Sequence, residues 1–400
     1  MKDVKILAKI AAVLCVAATL LTSCVGGKNP AETTPSDTTP PVTTPGDTSD
    51  ITSPDDTTSG TAPETTPDTT PGTTPADTTT APVNPGLGAA AACRLDGLPC
   101  DKVVQQFAML RDGAGLWIFT VQRIGDTIYL SRLKVGSDGK VASMVDFAVL
   151  PGYGHGESFD LAVIDGKVYL YVASDANPIN SYGWATSVTR LRYEAGQIVD
   201  ERVIVGMERA TANGQLLHSD AKPFRINFAL DAEADIISFY IRTDKNGTGK
   251  NGYHYLTAYR LSAINAMLDA SPMISLADAT GAFLGTTGQK ALEDICYNTS
   301  FQGMEVCADG GICIIGGTQK IKPRLSRFEL ADGKISRRRV LSFEGITTDI
   351  LRSRNWTAAT SFIEIEGACW FEGALYCSFN PANANLSSSD STEIFIITEK

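Results

Sequence analysis

Beyond residue 100 the chain reads as short runs in which apolar and polar positions alternate, broken by acidic or Gly-bearing pairs. Alternation puts every second side chain on one face of a strand, and the Gly-bearing pairs between runs suit hairpin turns. The segments 115–133 (GLWIFTVQRIGDTIYLSRL), 159–174, 226–243, 303–317 and 367–379 each hold two apolar runs around such a turn and predict five hairpins. A second pattern overlies the first. SRLKVGSDGKV (131–141) and SRFELADGKI (326–335) are near-twins: an Arg among strand formers, an Asp-Gly-Lys turn, then another apolar run. Segments 189–205 (TRLRYEAGQIVDERVIV) and 259–276 (YRLSAINAMLDASPMISL) read as further copies, each led by an exposed Arg. These Arg residues fall at 132, 190, 260 and 327, and Glu393 takes their register in the final strand TEIFIITEK.

The intervals of 58, 70, 67 and 66 residues define a repeat too small to bury its own face, so neighbouring units must stack. An inner hairpin with outer strands makes a four-stranded sheet, and five sheets set radially make a five-bladed β-propeller over residues 87–400. Seven shorter blades, or a pair of β-sandwiches, are the alternatives for this all-β chain; the Arg register favours five. Radial symmetry brings the starts of the innermost strands together at the axis. His155, Gln302 and Glu366, each beside a Gly at such a start, are expected on the rim of the channel, with Gln106 and Arg225 completing the circle. Val163 and Val306, further along inner strands, are expected in the core.

The first 86 residues follow different rules. Lys2, Lys5 and Lys9 precede a twelve-residue apolar run, 10–21, too short for a membrane span of about 20 residues and suited to a signal sequence. It ends in Leu21-Thr22-Ser23-Cys24, which resembles a bacterial lipobox. That resemblance implies cleavage before Cys24, attachment of lipid (palmitate among the acyl chains) to its thiol, and a protein held on the extracellular face of the cell membrane. Residues 25–86 are mostly Thr, Pro, Asp, Gly and Ser, with nine acids against Lys28. So little of this can be buried that a disordered linker is expected. It would reach roughly 45 Å as a coil or roughly 190 Å as extended polyproline II.

Charge excludes one class of partner. The whole chain carries a formal −11 and the first 86 residues account for −6 of it, leaving a mildly acidic domain. Nothing in it offers the basic face that nucleic acid requires. The three His (155, 218 and 254) have no zinc-binding spacing, and no Gly-x-Ser-x-Gly elbow or phosphate loop is present; GTGKNG (247–252) has the wrong spacing. No metal or cofactor is expected. Glu157, Asp160, Glu305, Glu364 and Glu366 are the carboxylates from which a glycosidase site at the channel could be built. The first inner strand, VVQQFAML (103–110), has no acid; Asp101 is the nearest. His155 reads either as a general base or ligand donor, or as a turn histidine bonded to nearby backbone. Tyr153, Tyr182 and Trp184 offer ring faces for sugar stacking, with core packing the alternative for Trp184.

The run 131–174, followed by YGWATSVTRLRY and later by FQGMEV and GGICIIGG, resembles the β-propeller domain of phage receptor-binding and teichoic-acid-associated proteins, to which helveticin-like bacteriocins are similar. Gly154-His155-Gly156, Gly183-Trp184 and Gln302-Gly303 carry the likeness, in that order. It implies a propeller that engages a glycan or teichoic-acid-like polymer, with His155, Glu157, Tyr153, Trp184, Arg225, Gln302, Glu366 and Gln106 as ligand-binding candidates and no catalytic residue. The hydrolase domain sometimes found beside such propellers is absent from the resemblance. A glycoside hydrolase or lyase using the channel carboxylates is the alternative function, and an adhesive surface protein a third.

Seven Cys lie in 87–400. Cys93 with Cys100, Cys307 with Cys313, and Cys369 with Cys377 flank short turns; each pair either bridges or stays as thiols, according to register. Cys296 has no evident partner.

Overall fold

In a computed structural model, residues 87–179, 182–247, 252–287, 301–317, 323–342, 364–380 and 393–399 are described. The proposed signal, Cys24, the linker, residues 248–251 of GTGKNG and Cys296 lie outside them. The described chain is all-β apart from one helix and two single 3-10 turns.

Strands come as antiparallel meanders. The first holds β2 (Val104–Asp112), β3 (Gly115–Ile124), β4 (Thr127–Val135) and β5 (Val141–Leu150). The second holds β6 (Phe159–Ile164), β7 (Lys167–Ala176), β8 (Ala185–Glu194) and β9 (Gln197–Val205). In the third, β10 (Lys222–Asp231), β11 (Ile236–Asp244) and β12 (Tyr253–Arg260) lead into α1 (Leu261–Ala270), β13 (Met273–Ser275) and β14 (Phe283–Thr286). The fourth is β15 (Phe301–Val306), β16 (Ile312–Gly316), β17 (Arg324–Ala331) and β18 (Lys334–Ser342). The last, β19 (Glu364–Phe371), β20 (Ala374–Asn380) and β21 (Glu393–Glu399), is completed by β1 (Leu87–Asp96), which pairs antiparallel with β21. Chain start and chain end of the domain therefore share one sheet.

Parallel contacts link meanders at their outer edges: β1 to β5 over Arg94–Asp96, β13 to β9 over Met273–Ser275, and β14 to β18 at Thr286. Two eight-stranded sheets and a five-stranded one result. The first strand of every meander, β2, β6, β10, β15 or β19, is a terminal strand of its sheet. These five pack in order, β2 against β6, β6 against β10, onward to β19, which packs back on β2. Buried apolar layers fill the gaps between neighbouring meanders, as where Tyr171 and Ala162 meet Phe228 and Leu230.

The turns explain the hairpins. Asp165-Gly166, Ala195-Gly196, Asp332-Gly333 and Glu372-Gly373 are two-residue loops with both φ positive, between 48° and 82°. This is the type I′ geometry whose twist matches paired strands.

Five expectations need correcting. The copy at 259–276 is no hairpin: Leu261, Ile264, Asn265 and Leu268 are its buried positions, spaced for one helix face, and no Gly pair interrupts them. In the first meander, segment 115–133 is β3–β4, the middle of the sheet; the inner hairpin is β2–β3. Arg132, Arg190 and Arg327 lie on third strands, opposite Phe119, Tyr171 and Cys313, whereas Arg260 stands at the very end of β12 opposite Ile236. Arg190 is also buried, because α1 covers it: its guanidinium donates to Asn265 Oδ1 (2.7 Å) and pairs with Asp269 (2.5 Å) while lying over Tyr169. Finally, Val306 is in the core but Val163 is 45% exposed, on the outer face of β6.

Candidate functional site

The inner strands begin at the end of the ring where the β3–β4, β7–β8 and β11–β12 loops also lie. Here Gly154-His155-Gly156 crosses from β5 to β6. Both glycines have positive φ (89° and 82°). A Cβ on Gly154 would fall 2.6 Å from the Gly183 carbonyl, so the two predicted motifs touch through backbone. The pinned segment aims His155 at Trp184, their ring centroids 4.2 Å apart.

Trp184 is held on both sides. The Arg225 guanidinium lies 4.0 Å from its ring centroid and 5.0 Å from that of Phe301, a cation between two aromatic faces. Arg225 also pairs with buried Glu157 and donates to the Phe301 carbonyl (3.0 Å) and to Asn227 Oδ1 (3.0 Å). Tyr182 stacks against Trp184 at 5.5 Å and is 59% exposed. Arg123, at the end of β3, donates to the Gly125 and Tyr182 carbonyls and approaches His155 Nδ1 at 2.5 Å. His155 Nε2 faces Glu157 Oε1 at 3.5 Å. His155 Nδ1 also lies 2.9 Å from the Tyr182 carbonyl, so the two tautomers serve different neighbours: Nδ1–H donates to that carbonyl, whereas Nε2–H points to the carboxylate and leaves Nδ1 to accept from Arg123.

Burial, reinforced by the charges of Arg123 and Arg225, lowers His155 to about 4, so its imidazole is neutral at pH 7. Burial pushes Glu157 up to about 7, while Arg225 pulls it down.

The other predicted residues go elsewhere. Four inner strands carry a bulge at their start, between Val104 and Gln106, Pro223 and Arg225, Phe301 and Gly303, and Ile365 and Gly367. Gln302 and Glu366 are themselves the extra residues, whereas Gln106 and Arg225 follow one, so the expected circle mixes two successive positions whose side chains point differently. Gln106 is 1% exposed, an interior residue and not a rim one: its Oε1 accepts from Phe107 N and Ala368 N, both at 2.9 Å. Gln302, also buried, donates to the Gly317 carbonyl (3.1 Å) and Glu364 Oε1 (2.7 Å). Glu366 is buried at the start of β19. Tyr153 is part of the core between the first two meanders. The structure thus gathers His155, Glu157, Arg225 and Trp184, with Tyr182, and leaves Tyr153, Gln106, Gln302 and Glu366 outside that cluster. Arg123 and Asn227 escaped the sequence reading, although Arg123 immediately precedes a strand turn at the same end as His155.

Beneath the mouth lie the remaining acids. An inner strand has an open edge whose N–H groups need acceptors. Asp160 Oδ2 accepts from Leu230 N (2.8 Å) on the next inner strand, and Glu305 Oε2 from Trp370 N (3.1 Å) on the next after its own. The two are equivalent positions: Asp160 lies opposite Tyr171 and Glu305 opposite Cys313, the residues that face Arg190 and Arg327. Burial raises both carboxyls, Asp160 to about 7, and their mutual repulsion adds to the effect on Glu305.

Among the described residues no three or more His, Cys, Asp or Glu are placed to hold a metal ion. Cys93 and Cys100 are thiols. Cys369 lies opposite Tyr376 and Cys377 opposite Ala368, so these two point to opposite faces of their hairpin, into different core layers, and cannot bridge.

No protein-family model matches the chain, and no curated protein matches it. Solved structures show distant likeness. An α-L-arabinofuranosidase from Podospora anserina aligns over 79% of this chain and 98% of its own, at 10% identity and TM-score 0.40. A GH43 enzyme from Xanthomonas citri aligns over 78% and 90%, at 11% and 0.40. A proposed 6-phosphogluconolactonase from Bacteroides uniformis aligns over 68% of this chain at 13% and 0.32, and the chain spans only 64% of its length. Likeness this remote leaves function to be argued from the chain's own residues.

Proposed function

We propose that the protein is a lipid-anchored extracellular lipoprotein whose domain is a five-bladed β-propeller binding a surface or environmental glycopolymer without cleaving it. Five edge strands packing in a closed order support the blade count. One observation carries the binding reading: the exposed Tyr182 ring stacked on Trp184, which His155 and Arg225 hold in place at the entrance. A rigid aromatic face beside fixed polar groups suits the apolar face and hydroxyl edge of a sugar. A glycan array together with pulldown on bacterial wall polymers tests it. Retention on at least one polymer class, lost in Trp184→Ala, is expected; uniform absence of binding would defeat the reading.

A second reading, glycoside hydrolysis, rests on Glu157, raised to about 7 and therefore in the range of a general acid at the rim. Against it, Glu157 is committed to Arg225, and Asp160 and Glu305 to backbone N–H groups. Release of reducing ends from the bound polymer, abolished by Glu157→Gln, would establish hydrolysis instead. The anchor is tested separately. Cys24→Ala should release a folded protein from the membrane; a mutant that stays bound until residues 10–21 are deleted would indicate an uncleaved anchor.

A further inference from the structure

We propose that Cys307 and Cys313 are a redox pair that closes to a disulfide across the β15–β16 hairpin. Their sulfurs are 3.7 Å apart, both residues are buried, and they share one side of a tight turn. Cys307 N donates to the Gly311 carbonyl (2.8 Å) and Gly310 N to the Cys307 carbonyl (2.7 Å), so the hairpin itself holds the thiols together. The other cysteines on the two faces of β19–β20 have no such arrangement.

A cation completes the site. Arg327 lies directly opposite Cys313 on β17, anchored by Asp309 in the turn. Gly311 makes room for it: a Cβ there would fall 2.6 Å from the guanidinium. The thiolate is the form that attacks a disulfide. The turn residues Ala308–Gly311 and Arg327 also line a cleft of about 520 Å³ with Ile236 and Leu330, which brings solvent up to the hairpin. The hydrogen bond with Cys313 and burial push Cys307 up, so Cys307 is the resolving thiol, Cys313 attacks first, and exchange proceeds as the turn opens.

The oxidant is a disulfide, either a low-molecular-weight one or that of a protein. Cys313 thiolate attacks one of its sulfurs, the S–S bond breaks, and one thiol leaves. Cys307, giving up its proton, then displaces the second thiol from the mixed disulfide. Two electrons and two protons pass to the oxidant, which ends as two thiols.

The whole chain, purified without reductant and then equilibrated with oxidised glutathione, tests this. Denaturing alkylation should find two fewer reactive thiols, and the intact mass should fall by about 2 Da, the two hydrogens of a closed dithiol. Cleavage before Asp309 separates Cys307 from Cys313, so the fragments should stay joined until reduced. The link should survive in Cys296→Ser and vanish in Cys307→Ser and in Cys313→Ser. Full alkylation of both residues after equilibration, a stable glutathione adduct without closure, or a link that needs Cys296 would overturn the proposal. Since the assay reads bond connectivity in the unmodified chain, a poorly folding variant does not decide it.

Discussion

Two polar layers sit close together in the ring and are built on different logic. At the mouth, Glu157, Arg225, His155 and Arg123 satisfy one another, and aromatic rings enclose the cation. One level down, Asp160 and Glu305 give their oxygens to backbone N–H groups of the next strand. A carboxyl near a channel axis is thus no sign of catalysis in itself. What its oxygens already hold decides whether it is free to act, and here the lower pair closes seams between strands while the upper group shapes a surface.

The largest effect should come from the upper layer. Arg225→Ala leaves Glu157 buried without its ion pair and removes the support behind Trp184, a loss of about 3–5 kcal/mol of stability. Chemical denaturation would measure it, and Arg225→Ala/Glu157→Gln together should recover part of the loss. If the double variant is no better than the single one, the pair is not what Arg225 sustains.

In the lower layer, Asp160→Ala should strand the N–H groups of Leu161 and Leu230, and Glu305→Ala that of Trp370, at about 1–3 kcal/mol for each N–H. The isosteric Asp160→Asn keeps an acceptor for Leu230 N and removes a charge-burial penalty, but its amide nitrogen cannot accept from Leu161 N, so it should lie between Asp160→Ala and wild type. Glycan binding should be unchanged in all three. A loss of binding in folded Asp160→Asn would merge the two layers into one site.

These layers were unequally legible in the chain. Hairpins such as β17–β18 could be read because Asp332-Gly333 and strict alternation act locally. The Arg repeat located third strands in four meanders, and through cross-strand register it also marks where Asp160 and Glu305 sit. Its failure at Arg260 is instructive: a helical spacing of Leu261, Ile264 and Leu268 competes with the strand pattern, and the longer period wins. The mouth was half legible. Gly154-His155-Gly156 and Gly183-Trp184 meet because their glycines permit backbone contact. Gln302 and Glu366 were misplaced because a bulge shifts side-chain direction by one residue and leaves no mark in composition. Arg123 stayed hidden since nothing local tells a strand-end Arg reaching 32 residues onward from one in solvent.

Acid titration sharpens the contrast further. His155 falls from 6.5 to about 4 on folding, so its contribution is present above pH 6.5 and lost as pH drops towards 4. Glu157 rises from 4.5 to about 7, so its contribution is full below pH 4.5 and lost as pH climbs through 7. Asp160 behaves like Glu157. Between pH 4.5 and 6.5 the raised acids outnumber the one imidazole, so wild-type stability should rise as pH falls, less steeply than the acids alone would give. Removing the imidazole in His155→Asn leaves the acids alone, and stability should then rise on acidification relative to wild type, by up to about 1.4 kcal/mol per pH unit per proton. Parallel curves for the two proteins would mean that His155 is protonated in the fold.

The smallest effect on the fold should belong to the residue that matters most for the ligand. Tyr182 is 59% exposed, and its ring rests on Trp184 without entering any core layer. Tyr182→Ala should therefore change stability by no more than about 0.5 kcal/mol, as expected of an exposed position. Its backbone carbonyl, which accepts from Arg123 at 2.9 Å, survives the substitution, so Arg123 and His155 should keep their places. An aromatic truncated at a binding surface typically loses more than 1 kcal/mol, close to tenfold in Kd or beyond. Tyr182→Phe keeps the ring and should retain most of the affinity if stacking carries the contact, less if the hydroxyl does. Titration of all three proteins with the polymer retained in the pulldown separates these outcomes. Unchanged affinity in Tyr182→Ala, with Trp184→Ala still defective, would move the sugar from the outer ring face to the inner wall formed by Trp184 and His155.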